Sequence, residues 1–159
     1  MENPPSTVPI DILLTSDRPD IVFISKDKEI TIIELTVPFN SPDCINAAHE
    51  YKVSKYQLLL SDLEAKSYTS RLVVVEIGAL GHYLSRTCKS LNRAFPSIPR
   101  AGIRNLVDEV GKTAITASQR IFMARSEEIW APHNHSHDLD LYLFICIYIY
   151  MYIYFSFEL

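Results

Sequence analysis

Two carboxylates carry the chemistry that this sequence suggests. Asp20 and Glu34 lie within RPDIVFISKDKEITIIELT, residues 18–36, with thirteen residues between them. Brought side by side, they would repel each other unless a proton or a cation lay between them. A divalent metal is the economical answer, because Mg²⁺ takes one or two protein carboxylates and fills its remaining positions with water and phosphate oxygens. Such a metal, Mg²⁺ or Mn²⁺, lowers the pKa of a bound water and screens charge that builds on a phosphate, and a nearby lysine helps with either task. That is the chemistry of phosphodiester cleavage.

The elements that must position this pair are legible in the same stretch. Ile21 to Ile24 and Ile30 to Val37 are short, β-branched apolar runs flanking the charged Lys26, Asp27 and Lys28, which predicts a hairpin. With those three residues as the loop, Ser25 faces Glu29, Val22 faces Ile32 and Asp20 faces Glu34. Side chains alternate faces along a strand, so Asp20, Val22, Ile24, Ile30, Ile32 and Glu34 share one face, with the two carboxylates at one end and their Cβ atoms about 5 Å apart.

Pro38 and Pro42 close the second strand, and Ser41 with Pro42 and Asp43 caps a helix expected to run to about Ala65. Its inward stripe reads Ile45, Ala48, Lys52, Lys55 or Tyr56, Leu59 and Leu63. Lysine interrupts an otherwise apolar stripe, either with its stem packed and its ammonium in solvent or with that ammonium turned to the carboxylates. His49 and Glu50 read as exposed helix residues or as neighbours of the site. RLVVVEI, residues 71–77, has the continuous apolar character of a central strand covered on both faces. Glu76 is its exception, either a third acidic ligand for the metal or the partner of an arginine such as Arg71 or Arg86. A helix from His82 to Arg93 and another from about Arg100 to Ser126 follow, the latter carrying Ile103, Leu106, Val107, Val110, Ile115 and Ile121, with Gly111 a possible kink. The order of elements predicts an α/β fold in which helices flank a mixed sheet.

The ordered set RPDIV, IELTVPF, AHEYKVSKY and VVVEIGALG, closed by an arginine-bearing helix and Trp130, resembles the PD-(D/E)XK nuclease superfamily. The nearer resemblance is to the restriction-enzyme-like endonuclease domain of non-long-terminal-repeat retrotransposons and to related segments downstream of reverse transcriptases. It covers roughly Ser16 to Trp130. The lysine that usually stands two residues after the second acid is Thr36 here. In the retrotransposon branch the following helix supplies it, so the resemblance implies Lys52 or Lys55 as the catalytic lysine, with Tyr56 beside it. It also implies a nuclear or cytoplasmic enzyme that nicks DNA, with RNA a further partner in a retroelement particle. No reverse-transcriptase motif is present.

The chain of 159 residues has room for one domain with a moderate core. Its net charge of −4 does not by itself suggest nucleic acid, yet from Glu50 to Arg125 twelve Lys and Arg stand against six Asp and Glu. That half suits phosphates or, equally, a solvated helical surface. Three cysteines, widely spaced and odd in number, suggest neither a zinc site nor a disulfide framework.

Residues 1–15 read as a flexible, Pro-rich lead-in that leaves only Ile10 to Leu14 for the helix usual before the first strand, as in a piece of a longer protein. Residues 16–130 form the endonuclease-like domain and 131–140 a polar linker. Its HNHSH run lacks the further ligands that a zinc site needs. The tail, 141–159, contains seventeen uncharged residues from Leu141 to Phe157, the lower limit for spanning a bilayer. Its alternation of Ile and Tyr is strand-like and without interfacial belts, which favours a non-selected, low-complexity tail over a membrane anchor. Two alternatives therefore stand beside the nuclease: a non-catalytic, nucleic-acid-binding remnant of a decayed retroelement, and a small protein tethered to a membrane by this tail.

Overall fold

A computed structural model describes residues 8–9, 11–13 and 15–124 of the chain. Trp130, the HNHSH run and the Ile/Tyr tail lie outside these described residues. Among the described residues three strands and three helices follow in the order β1 (Ile21–Ile24), β2 (Glu29–Thr36), α1 (Pro42–Ala65), β3 (Thr69–Glu76), α2 (Ser85–Ala94) and α3 (Arg100–Ala124). The described residues form an α/β structure built on a mixed, three-stranded sheet. β2 is the middle strand, antiparallel to β1 and parallel to β3.

The hairpin register is the expected one, with Val22 opposite Ile32 and Ile24 opposite Ile30. Ser25 N–H donates to Glu29 C=O at 2.9 Å. Lys28 takes a φ of 59°, the left-handed residue that lets a three-residue loop match the twist of its strands. Glu34 pairs with Val74 and Thr36 with Glu76 in the parallel ladder.

The sheet's two faces bury different helices. Ile30, Ile32, Val22 and Leu72 point towards Tyr56, Leu59 and Leu63 of α1. Ile21, Ile33, Leu35, Val73 and Val75 point the other way, onto Leu91 of α2 and Ile103, Leu106, Val107, Val110 and Ala114 of α3. α1 begins at Ser41, whose side chain accepts a hydrogen bond from Cys44 N–H, with Pro42 in the first turn where its missing donor costs nothing.

Five expectations change. β3 lies at an edge of the sheet among the described residues, not at its centre, because a continuous apolar run reports cover on both faces and α1, α2 and α3 supply that cover to an edge strand as well. α2 starts at Ser85 rather than His82, since Gly78 N–H donates to His82 C=O and closes a turn there. α3 runs through Gly111 as one helix; the missing side chain instead admits the backbone of Gly81, whose carbonyl oxygen would lie 3.1 Å from a Cβ at 111. Ile115 and Ile121 are exposed, and the buried positions there are Ala114 and Ala117. The described part of the lead-in is also packed: Val8, Ile12 and Leu13 are buried against the α1 core, and Lys66 donates to Ile12 C=O at 2.7 Å. No described helix is long and apolar enough to cross a membrane.

Candidate active site

The hairpin delivers Asp20 to Glu34 at the end where β1 starts and β2 approaches its close. Each carboxylate is oriented by the other strand's backbone. Asp20 N–H donates to Glu34 Oε1 at 3.0 Å, and Leu35 N–H donates to Asp20 Oδ2 at 2.7 Å. These bonds continue the ladder beyond Ile21 with side chains in place of carbonyls, which fixes the rotamers of both acids.

Glu34 is 1% exposed, and a charged group so deep needs a counter-charge. α1 provides it: Lys52 Nζ lies 2.6 Å from Glu34 Oε2, its side chain 17% exposed. The lysine that interrupts the apolar stripe is therefore turned to the carboxylates. One turn further along the same stripe Tyr56 is fully buried. Its hydroxyl accepts from Lys55 Nζ at 2.8 Å and reaches Arg18 C=O at 3.2 Å. Lys55 is exposed along its stem and folds back so that its ammonium stands 4.5 Å from the Tyr56 ring centre. The phenol is pushed well above its usual pKa, first by burial, then by the hydrogen bond and negative charge of Glu34, with Asp20 and Asp17 adding to it. Its single proton thus has two acceptors, Glu34 and the Arg18 carbonyl, and the group is a donor rather than a base.

The structure accordingly brings Asp20, Glu34, Lys52, Lys55 and Tyr56 into one linked group. Glu76 shares the α1 face of the sheet but belongs to a second group. Arg86 Nε donates to its Oε1 at 2.7 Å and Thr87 Oγ1 to its Oε2 at 2.9 Å. His49 Nδ1 stands 2.5 Å from Oε1 at ion-pair distance, without the geometry of a hydrogen bond. Of the readings open for Glu76, the arginine partner is the one with a visible contact, and that partner is Arg86. Arg71 instead donates to Arg93 C=O. His49 borders this second group, whereas Glu50 is exposed.

Thr87 and Asn46, which accepts from Arg86, were not singled out by sequence. The only signal was a lone acid ending a buried strand, followed ten residues later by arginine. Among the described residues no three or more His, Cys, Asp and Glu side chains are grouped to hold a metal. The Asp20 and Glu34 pair is nevertheless a hard-oxygen donor set with its carboxylates fixed in place, which suits an ion that needs only one or two of them.

A scan against protein families finds no match, and neither a curated protein nor a solved structure matches the chain.

Proposed function

We propose that the chain is a divalent-metal-dependent DNA endonuclease of the PD-(D/E)XK type, derived from a retrotransposon. The observation that carries this reading is the convergence of Asp20, Glu34 and Lys52 at one end of a mixed sheet, with Lys52 Nζ 2.6 Å from Glu34. Asp20 and Glu34 would hold Mg²⁺ or Mn²⁺, and the ion would supply a water of lowered pKa and charge neutralisation at the phosphate. Lys52 orients the Glu34 carboxylate and presents a cation to the charge that grows on the scissile phosphate. Lys55 and Tyr56 are donors on the flank of that site, and the raised phenol pKa keeps the Tyr56 proton in place. Of the two lysines, Lys52 is the one in contact with a carboxylate, which makes it the reading's principal lysine. Glu76, tied to Arg86 and Thr87, supports the fold beside the centre.

The test is nicking of supercoiled plasmid by the full chain with Mg²⁺ or Mn²⁺, and with EDTA. Metal-dependent nicking that disappears in Asp20→Ala and falls more in Lys52→Ala than in Lys55→Ala is the expected result. A folded protein that leaves the plasmid intact would point instead to the non-catalytic nucleic-acid-binding remnant.

A further inference from the structure

Charge is unevenly distributed along this chain. Between Asp11 and Glu64 ten Asp and Glu stand against five Lys and Arg, whereas residues 77–107 contain no carboxylate and five cations, Arg86, Lys89, Arg93, Arg100 and Arg104. The fold turns this segregation into a surface. The acidic stretch forms β1, β2 and α1, while the basic stretch forms α2 and the first turns of α3, packed on the sheet's other face.

α2 runs antiparallel to β3. Its first turn carries Arg86 against Glu76, the last residue of β3, and its last turn carries Arg93, whose carbonyl receives Arg71 from near the start of β3. Arg86 to Arg93 spans about 10 Å of helix, so the row of cations starts at the end of the sheet that holds Asp20 and Glu34 and runs away from it. A tight connection, in which Ile98 N–H donates to Phe95 C=O, leads from Arg93 to Arg100. Lys89, Arg93, Arg100 and Arg104 are exposed, and none takes part in an ion pair among the described residues. The first acid after them, Asp108, accepts a hydrogen bond from Tyr83.

We infer that Lys89, Arg93, Arg100 and Arg104 form a track for the phosphodiester backbone of a nucleic-acid duplex, on the face of the sheet opposite the Asp20 and Glu34 centre and starting at the sheet end that the centre occupies. Two features select this partner. The surface is basic where the rest of the molecule is acidic, the complementarity that a polyanion requires. It is also without apolar anchors: no large hydrophobic residue between Leu80 and Ile115 is exposed. A protein interface concentrates its energy in buried aromatic and aliphatic anchors, and a membrane-surface helix inserts an apolar face. Nucleic-acid interfaces are polar and positively charged, with hydrogen bonds to phosphate from side chains such as Ser97 and Asn105, both exposed here.

In serving cleavage the track rests on the nuclease reading, but binding can be measured without cleavage. Fluorescence anisotropy of the full chain with a labelled DNA duplex, and with an RNA duplex of the same sequence, is followed in EDTA across a salt series. Four phosphate contacts give a slope of log K against log salt of about −3.6, or a loss of about 150-fold between roughly 50 and 200 mM salt. The combined Lys89→Gln, Arg93→Gln, Arg100→Gln and Arg104→Gln variant is expected to lose most of that slope, and each single change about 0.9 of it. The loop variant Lys26→Gln with Lys28→Gln is expected to bind as the parent does. The duplex bound more tightly identifies the polymer.

The inference is overturned if the fourfold variant, folded by circular dichroism, binds with the parent's affinity and slope. It is equally overturned if the parent binds neither duplex at low salt, or binds only phosphatidylserine vesicles. Plasmid nicking is scored separately, so binding without cleavage would count against the nuclease and leave the track standing.

Discussion

Glu34 is buried, at 1% exposure, and is held by what touches it, Asp20 N–H on one oxygen and Lys52 on the other. Removing the lysine strands the carboxylate. Lys52→Ala should therefore cost about 3 kcal/mol, the lower end of the range for breaking a buried pair because this ammonium keeps some contact with water. Adding Glu34→Gln, which removes the charge while keeping an acceptor for Asp20, should recover more than half of that loss. Urea unfolding of the two single variants and the double variant measures the coupling; additive effects would mean that the pair is not an energetic unit. Tyr83 gives a prediction in pH. Its hydrogen bond to Asp108, and secondly burial, push its pKa up from 10.0 to about 12. A pKa raised on folding stabilises below the unfolded value and loses that contribution as pH rises through the folded one. Stability should thus fall between about pH 10 and 12, and Tyr83→Phe should make that fall shallower in a pH series of thermal melts. It should not abolish it, because Tyr56 is also raised.

At the scale of the elements, the turns hold the positions that matter. Gly81 has a φ of +78°, and a Cβ there would meet Ile115 Cδ1 at 2.8 Å and Gly111 O at 3.1 Å. Gly81→Ala should destabilise by about 1 kcal/mol or more through the left-handed backbone alone, read as a lower urea midpoint; an unchanged midpoint would mean that the loop relaxes freely. The hairpin that joins Asp20 to Glu34 was readable from sequence because a three-residue charged loop admits one register, and a one-residue slip would have exposed Ile30 and Ile32. α1 was readable for a similar reason, since Ser41, Pro42 and the stripe from Ile45 to Leu63 agree with one another. What failed was information that local pattern does not hold. Glu76 looked the same in sequence whether paired or ligating, because its partner Arg86 belongs to another helix. Ile115 and Ile121 matched helical spacing, but the face of α3 that meets the sheet is set by Ala114 and Ala117. Three helices can cover an edge strand as fully as a central one, so RLVVVEI reported cover and not place.

For the whole molecule, Arg86 joins what the sheet separates. α1 and α2 lie on opposite faces, and the guanidinium reaches around the edge strand to Glu76 through Nε, to Asn46 Oδ1 through one terminal nitrogen and to Ile45 C=O through the other. Three acceptors on two elements use the fork geometry of arginine, which lysine's single ammonium cannot reproduce. Asn46 lies six residues before Lys52 on the same helix, so this contact helps to set where α1 presents that lysine to Glu34. Arg86→Lys keeps a charge for the buried Glu76 but gives up the bonds to Asn46 and Ile45. It should cost less stability than Arg86→Ala, which leaves Glu76 without its guanidinium and falls in the range of about 3–5 kcal/mol for a broken buried pair. The lysine variant should nonetheless loosen one place in particular. Amide hydrogen exchange should rise in the first two turns of α1, residues 42–49, while β2 and the middle of α3 stay protected. Uniform change across all elements would show that Arg86 contributes only general stability; a rise confined to α1 would show that the position of Lys52 is held from the far side of the sheet.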